Sequence, residues 1–168
     1  VPLYLNPGLT FGTGNHASTR LCLEWTEQSV KPGARVLDLG CGSGILSIAA
    51  LRLGAAEAFA CDIDDKCVDV AYENAALNGI GKDRLTVRQG EVVDIRTENG
   101  RVAQVVLRTG AVFQVKAAVI CSGTYLHGRT IIGECIEESG PDGMHAATAL
   151  TERLLALGLP LRRFKTGT

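Results

Sequence analysis

The stretch Arg35-Val36-Leu37-Asp38-Leu39-Gly40-Cys41-Gly42-Ser43-Gly44, followed by the nearly all-apolar Ile45 to Leu53, leaves few choices of fold. A short strand pattern runs into alternating glycines and then into a helix-length apolar run that Gly54 stops. In such a strand-to-helix loop the first glycine permits the tight turn, the next lets the backbone approach a ligand, and the last lets the helix pack on the strand. The helix start then offers amides to an anion. Asp62 closes the next apolar stretch, Ala58 to Cys61. A carboxylate there can accept hydrogen bonds from both ribose hydroxyls of an adenosine-bearing cofactor. The competing reading is a purely structural βα turn with a solvated aspartate. Loop, flanking elements and placed acid together outweigh it, where a glycine loop alone would not.

Elements follow the same logic on either side. Ser18-Thr19 reads as a helix N-cap, with Leu21, Trp25 and Cys22 as the inward face up to Gln28. Arg35–Leu39, Ala58–Cys61 and Leu85–Arg88 read as strands, alternating with helices over 45–53 and 66–77. That alternation gives βαβ units and a parallel sheet. The pattern then changes. Val92–Thr97, Arg101–Arg108 and Ala111–Val115 follow one another with Asn99-Gly100 and Thr109-Gly110 as turns, which makes a three-stranded antiparallel meander. Ala117–Cys121 reads as one more strand, 128–144 as loop, and Ala146–Leu157 as a helix capped by Gly158. The expected class is α/β: a Rossmann-like parallel sheet with an antiparallel three-stranded β-meander inserted before a further parallel strand.

Composition narrows the function. Lys+Arg 17 against Asp+Glu 18 gives a net charge of −1, so no global basic field draws in nucleic acid. Glycine, 20 of 168 residues, is well in excess of the usual share of about 7%. No apolar run reaches the about 18 residues of a membrane span. Val1-Pro2-Leu3-Tyr4 has neither the charged nor the apolar region of a signal peptide. The six cysteines lack the C-x-x-C spacing of a zinc or redox site, and several sit in apolar runs. The expectation is a reduced, cytoplasmic protein without metal.

The loop also discriminates among cofactors. A dinucleotide fingerprint requires glycine at 45, where Ile45 stands, and no Lys-Ser/Thr follows for a phosphate loop. Gly42-Ser43-Gly44 fails as a nucleophile elbow because Cys41 replaces the needed glycine. The D-x-G-x-G-x-G form resembles S-adenosylmethionine (SAM)-dependent methyltransferases. More closely, Asn6-Pro7-Gly8-Leu9-Thr10-Phe11-Gly12-Thr13-Gly14-Asn15-His16, Val36 through Leu46 and Asp62-Ile63-Asp64 resemble the methyltransferase domain of the PrmA family, which methylates a ribosomal protein. The resemblance covers about residues 3–88. It implies SAM as cofactor, a ribosomal protein as substrate, and Thr19, Gly40 and Asp62 at the cofactor, supported by Asp38, Gly42 and Gly44. Asn6 and Asp65 stand where that family usually has Asp and Pro. The family's later Asn-Ile strand motif and its preceding substrate-recognition domain have no counterpart, so no catalytic residue is assigned.

Residues from about 86 to 168 resemble a second family, MnmG (GidA), which modifies the tRNA wobble uridine with FAD. The resemblance rests on Gln89-Gly90-Glu91-Val92-Val93-Asp94-Ile95, Ala117 through Leu126, Ser139-Gly140-Pro141-Asp142-Gly143, and Leu161 through Thr168. It implies Val92 and Ala147 as FAD contacts and tRNA as partner. The chain therefore reads as two joined fragments: 1–88, a SAM-methyltransferase-like Rossmann half, and 89–168, a GidA-like piece of an FAD domain that could share the same sheet. The functional expectation is SAM binding with little or no turnover. The alternatives are a flavin-binding tRNA-modification fragment and a non-catalytic folded remnant. His16 reads as a loop-shaping hydrogen bonder, His127 and His145 as solvated, and Arg162-Arg163 with Lys165 as a solvated basic tail.

Overall fold

A computed structural model describes residues 2–6, 14, 16–116, 118, 120, 125–140 and 145–164. The elements in order are α1 (Ala17–Ser29), β1 (Arg35–Leu39), α2 (Ile45–Arg52), β2 (Glu57–Asp62), α3 (Lys66–Leu77), β3 (Leu85–Gln89), β4 (Val92–Glu98), β5 (Arg101–Leu107), β6 (Val112–Gln114), β7 (Thr130–Ile132), β8 (Cys135–Glu137) and α4 (Thr148–Ala156). The described strands form three sheets, β1-β2-β3, β4-β5-β6 and β7-β8. The chain divides into two units, Val1–Glu91 and Val92–Thr168.

In the first unit β2 lies between β1 and β3, all parallel, with Leu37 beside Phe59 and Ala60 beside Val87. This is the Rossmann-like arrangement that the alternating pattern predicts. Small residues on the central strand, Ala58 and Ala60, let helices approach the sheet, and Ile48, Leu51, Ala71, Ala75 and Leu85 complete the core. Helix α2 buries Ile45, Ile48, Ala49, Ala50 and Leu51, as a helix apolar on nearly every side must. Arg84 closes its far end: Nη2 donates to the carbonyls of Leu51 (3.2 Å) and Ala55 (2.7 Å). Cationic donors suit the carbonyl end of a helix.

Helix α1 departs from expectation twice. His16, not Ser18-Thr19, is the N-cap; its Nδ1 accepts from the Ser18 amide at 3.3 Å. The inward face carries Thr19 and Thr26, while Leu21 and Trp25 are 65% and 49% exposed. Apolar residues one turn apart suggest a core stripe, but the face that meets α2 is the neighbouring one, where Thr26 Oγ1 donates to the Cys22 carbonyl at 2.7 Å.

The second unit contains the predicted meander. Asn99 and Gly100 both take positive φ, 50° and 73°, and bring Glu98 opposite Arg101. Positive φ at both central residues is the backbone of a type I′ hairpin turn. Ile95 of β4 packs with Leu150 and Leu154 of α4. Arg153 Nε donates to the Ile95 carbonyl (2.9 Å) and supplies the counter-charge to the Asp94 carboxylate at 2.7 Å.

Two further expectations change. The stretch 128–144 contains the hairpin β7-β8, joined by Gly133-Glu134, with Gly133 at φ 60°. Its side chains are exposed on both faces, so it lacks the apolar alternation by which a strand is recognised. His127 is paired rather than solvated, its Nε2 lying 3.1 Å from Glu138 Oε1. His127 and then Arg129 hold the Glu138 carboxyl below the usual range. Of the strand expected at 117–121, only Ala118 and Ile120 are described, and neither is in a strand. The turn at 140–143 and the end from Lys165 lie largely outside the described residues. No described helix is long and apolar enough to cross a membrane.

Arg84→Met should lower stability by about 1–3 kcal/mol, since it removes the charged donor from the Ala55 carbonyl and one of the donors to the Leu51 carbonyl. The check is the urea midpoint at unchanged slope; an unmoved midpoint would show that solvent serves those carbonyls equally well.

Candidate functional site

The glycine loop leaves β1 beneath the end of β2, and β2 holds it there. The Cys61 carbonyl accepts from two amides, Gly40 at 2.8 Å and Cys41 at 3.0 Å. The Gly42 amide donates to Asp62 Oδ2 at 2.8 Å, and the Asp64 amide donates to Asp62 Oδ1 at 3.1 Å. The Gly44 amide returns to the Cys41 carbonyl at 2.8 Å. The sequence predicts a loop whose amides await an anion. In the folded chain the amides of residues 40, 41, 42 and 44 are all donated within the protein. A pyrophosphate would have to displace these bonds.

The three glycines do different work. A Cβ on Gly40, at φ 78°, would meet nothing within 4 Å, so this side of the loop is open to an approaching group. A Cβ on Gly44, also at φ 78°, would stand 3.0 Å from Ala71 Cβ and 3.3 Å from its Cα. Gly44 thus sets the contact between the loop and α3, where the sequence suggested packing on the strand. Gly42 has φ 50° and lends its amide to Asp62.

Asp38 is buried and faces the helix. Its Oδ2 accepts from the Ser47 amide (3.1 Å) and the Ser47 hydroxyl (2.7 Å). Helix α2 has no side-chain cap of its own at Gly44, so Asp38 supplies the acceptor for its first turn. Burial pushes the Asp38 carboxyl up, the two Ser47 bonds oppose this, and the Asp62 charge adds to it.

Two residues that the sequence reading passed over tie the site together. Asn74 on α3 and Asn78 at its C-cap lie one helical turn apart and are buried. Asn74 Oδ1 accepts from the Asn6 amide (2.7 Å), and its Nδ2 donates to the Ser43 carbonyl (3.0 Å). Asn78 Oδ1 accepts from the Tyr4 amide (3.0 Å), and its Nδ2 donates to the Tyr4 carbonyl (2.6 Å). The available signal was Ala71, Asn74, Ala75 and Asn78 at helical spacing: amides placed on the face that carries the core alanines. Thr19 is buried on α1, and a Cβ on Gly14 would touch Ile45 Cδ1 at 3.4 Å.

Cys41, Cys61 and Cys67 are buried around the loop. Burial, followed by the Asp62 charge, pushes the Cys61 and Cys67 thiols up to about 12. Cys41 is raised by burial and then by the Asp38 charge. In the second unit Val92 opens β4 and packs with Ile95, while Ala147 precedes α4 and donates its amide to the Tyr125 carbonyl at 2.8 Å.

Residues 1–112 match the family described as ribosomal protein L11 methyltransferase (PrmA). The chain belongs to this family. The match runs past residue 88, through the glycine loop and into the meander. A PrmA-family relative, the ribosomal protein L11 methyltransferase of Symbiobacterium thermophilum, is 54% identical over 83 residues, which is 49% of this chain and 27% of that protein. The enzyme of the same description from Syntrophomonas wolfei is 41% identical over 136 residues, 79% of this chain and 44% of that protein. The chain is also similar to the tRNA uridine 5-carboxymethylaminomethyl modification enzyme MnmG of Caldicellulosiruptor saccharolyticus, 57% identical over 84 residues, 50% of this chain and 13% of that protein. The chain thus spans less than half the length of each of these relatives.

Gly44→Ala should cost about 2–4 kcal/mol, from positive φ and collision with α3 backbone together. A denaturation midpoint near that of the unaltered chain would refute the close approach. The thiols predict an alkaline limb. Unfolded cysteines ionise near 9.0 while folded Cys61 and Cys67 keep their protons to about 12. Between those values the folded state binds more protons, so stability falls as pH rises. The melting temperature should drop steadily above about pH 9, and less steeply in Cys61→Ala; equal slopes would exclude Cys61 as a cause.

Proposed function

We propose that the first unit binds S-adenosylmethionine as a methyl-donor cofactor, in a methyltransferase of the PrmA type acting on a ribosomal protein. The observation that carries this reading is Asp62 at the end of β2, held against the glycine loop by the Gly42 amide inside the family-matched region. Each Asp62 oxygen takes one described backbone bond and the Cys67 thiol adds a third, so a carboxylate with about four acceptor sites keeps capacity for a ribose hydroxyl. The open side of Gly40 admits an adenosine where a Cβ would intrude. The self-satisfied loop amides suit a cofactor that carries no phosphate. When bound, the cofactor supplies an electrophilic methyl group on a sulfonium.

The residues of this chain bind and orient. Asp62 fixes the ribose, Gly40 and Gly42 shape the floor, Gly44 and Asp38 hold that floor to α3 and α2, and Thr19 stands on the inner face of α1. Methyl transfer in such a site rests mainly on alignment of the acceptor with the methyl group.

A second reading concerns the second unit. The identity to the MnmG relative favours 89–168 as a piece of an FAD-dependent tRNA-modifying fold, with Val92 and Ala147 beside the flavin nucleotide. Visible flavin absorption in the purified protein would support it, and a colourless protein that takes up no added FAD would dismiss it.

Titration calorimetry with S-adenosylhomocysteine tests the first reading. A saturable heat is expected, and Asp62→Ala should weaken it about ten- to a hundredfold, the loss of bonds to a charged acceptor. No heat from a folded sample would leave a non-catalytic remnant as the reading.

A further inference from the structure

We propose that Asn74 is a positioning residue of the cofactor site, coupling the N-terminal segment to the glycine loop; the inference rests on the cofactor reading above. Asn74 is fully buried on α3, yet both ends of its amide are committed to backbone far away in sequence. One end takes the Asn6 amide at 2.7 Å and the other gives a hydrogen bond to the Ser43 carbonyl at 3.0 Å. Ser43 lies between Gly42, whose amide holds Asp62, and Gly44, which packs on Ala71. A single side chain therefore spans from the segment 2–6 to the loop that holds the ribose-facing acid.

The geometry gives this link a purpose that core packing does not. Asn6 runs in sequence into Pro7-Gly8, and Gly14 closes the same stretch. Of the two described flanks, Asn6 is tied through Asn74 to Ser43 in the glycine loop, and Gly14 lies near the side chain of Ile45, the first residue of α2. An apolar residue at 74 could fill the same space but could not register one backbone against the other. A buried amide costs free energy unless both ends are bonded, so its two partners are fixed in place together. Asn78 provides the contrast. It makes the same kind of paired contact, with Tyr4, but its described bonds do not reach the glycine loop.

The test is calorimetry with S-adenosylhomocysteine on the full chain, well below each variant's melting temperature. Asn74→Ala should raise Kd about tenfold, and Asn78→Ala should stay within about twofold although it too lowers the melting temperature. The link can also be cut at its exposed end. Asn6→Pro removes the donor amide together with the side chain and should raise Kd about fivefold, while Asn6→Ala, which loses the side chain but keeps that amide, should not. If Asn74→Ala fails to fold, the Asn6 pair decides. Equal weakening by Asn74→Ala and Asn78→Ala, or equal binding by Asn6→Pro and Asn6→Ala, overturns the assignment while the parent's binding leaves the cofactor reading intact. A parent that binds nothing overturns both.

Discussion

The Cys61 carbonyl accepts two amides, and most of the candidate site follows from that. A strand that ended freely would let its loop wander. Here that one carbonyl of β2 captures both Gly40 and Cys41, and the Asp62 side chain captures Gly42 one step further on. The turn is fixed by the neighbouring strand before the helix begins. Helix α2 then needs an acceptor at its start, and Asp38 provides one from the strand just left. Gly44 brings the loop onto α3, and α3 in turn presents Asn74 and Asn78 to the N-terminal segment.

The parallel part of the fold was legible because its signals are local and agree. Lys66–Leu77 and Arg35–Leu39 carry both their pattern and their stops, and the structure has them at those bounds. The Asn99-Gly100 turn was equally clear, since few residue pairs accept positive φ twice. What failed was orientation. Leu21 and Trp25 share a helix face, but a pattern cannot say which face the rest of the chain covers. The β7-β8 hairpin failed for the opposite reason, having no buried side to leave a trace.

At the site, residue identity was readable and residue role less so. The spacing predicted glycines for turning and Asp62 for a carboxylate at the strand end, and the geometry agrees. It grouped Asp38 with the ligand-facing residues, whereas the Asp38 carboxylate turns to Ser47. It missed Asn74, because an asparagine within a helix carries no motif. Its importance comes from two partners, Asn6 and Ser43, that only the tertiary fold brings to it.

The internal bonding of the loop amides bears on how a ligand would be chosen. A loop with dangling amides is ordered by whatever anion arrives, and the ordering is charged against the affinity. This loop is already tied to β2 by its own amides. Recognition by it would therefore be preorganised: little entropy remains to be lost on binding, and discrimination falls to the shape of the opening at Gly40 and the remaining acceptor capacity of Asp62. A phosphorylated nucleotide would meet a floor with its donors turned away and a carboxylate at its rim.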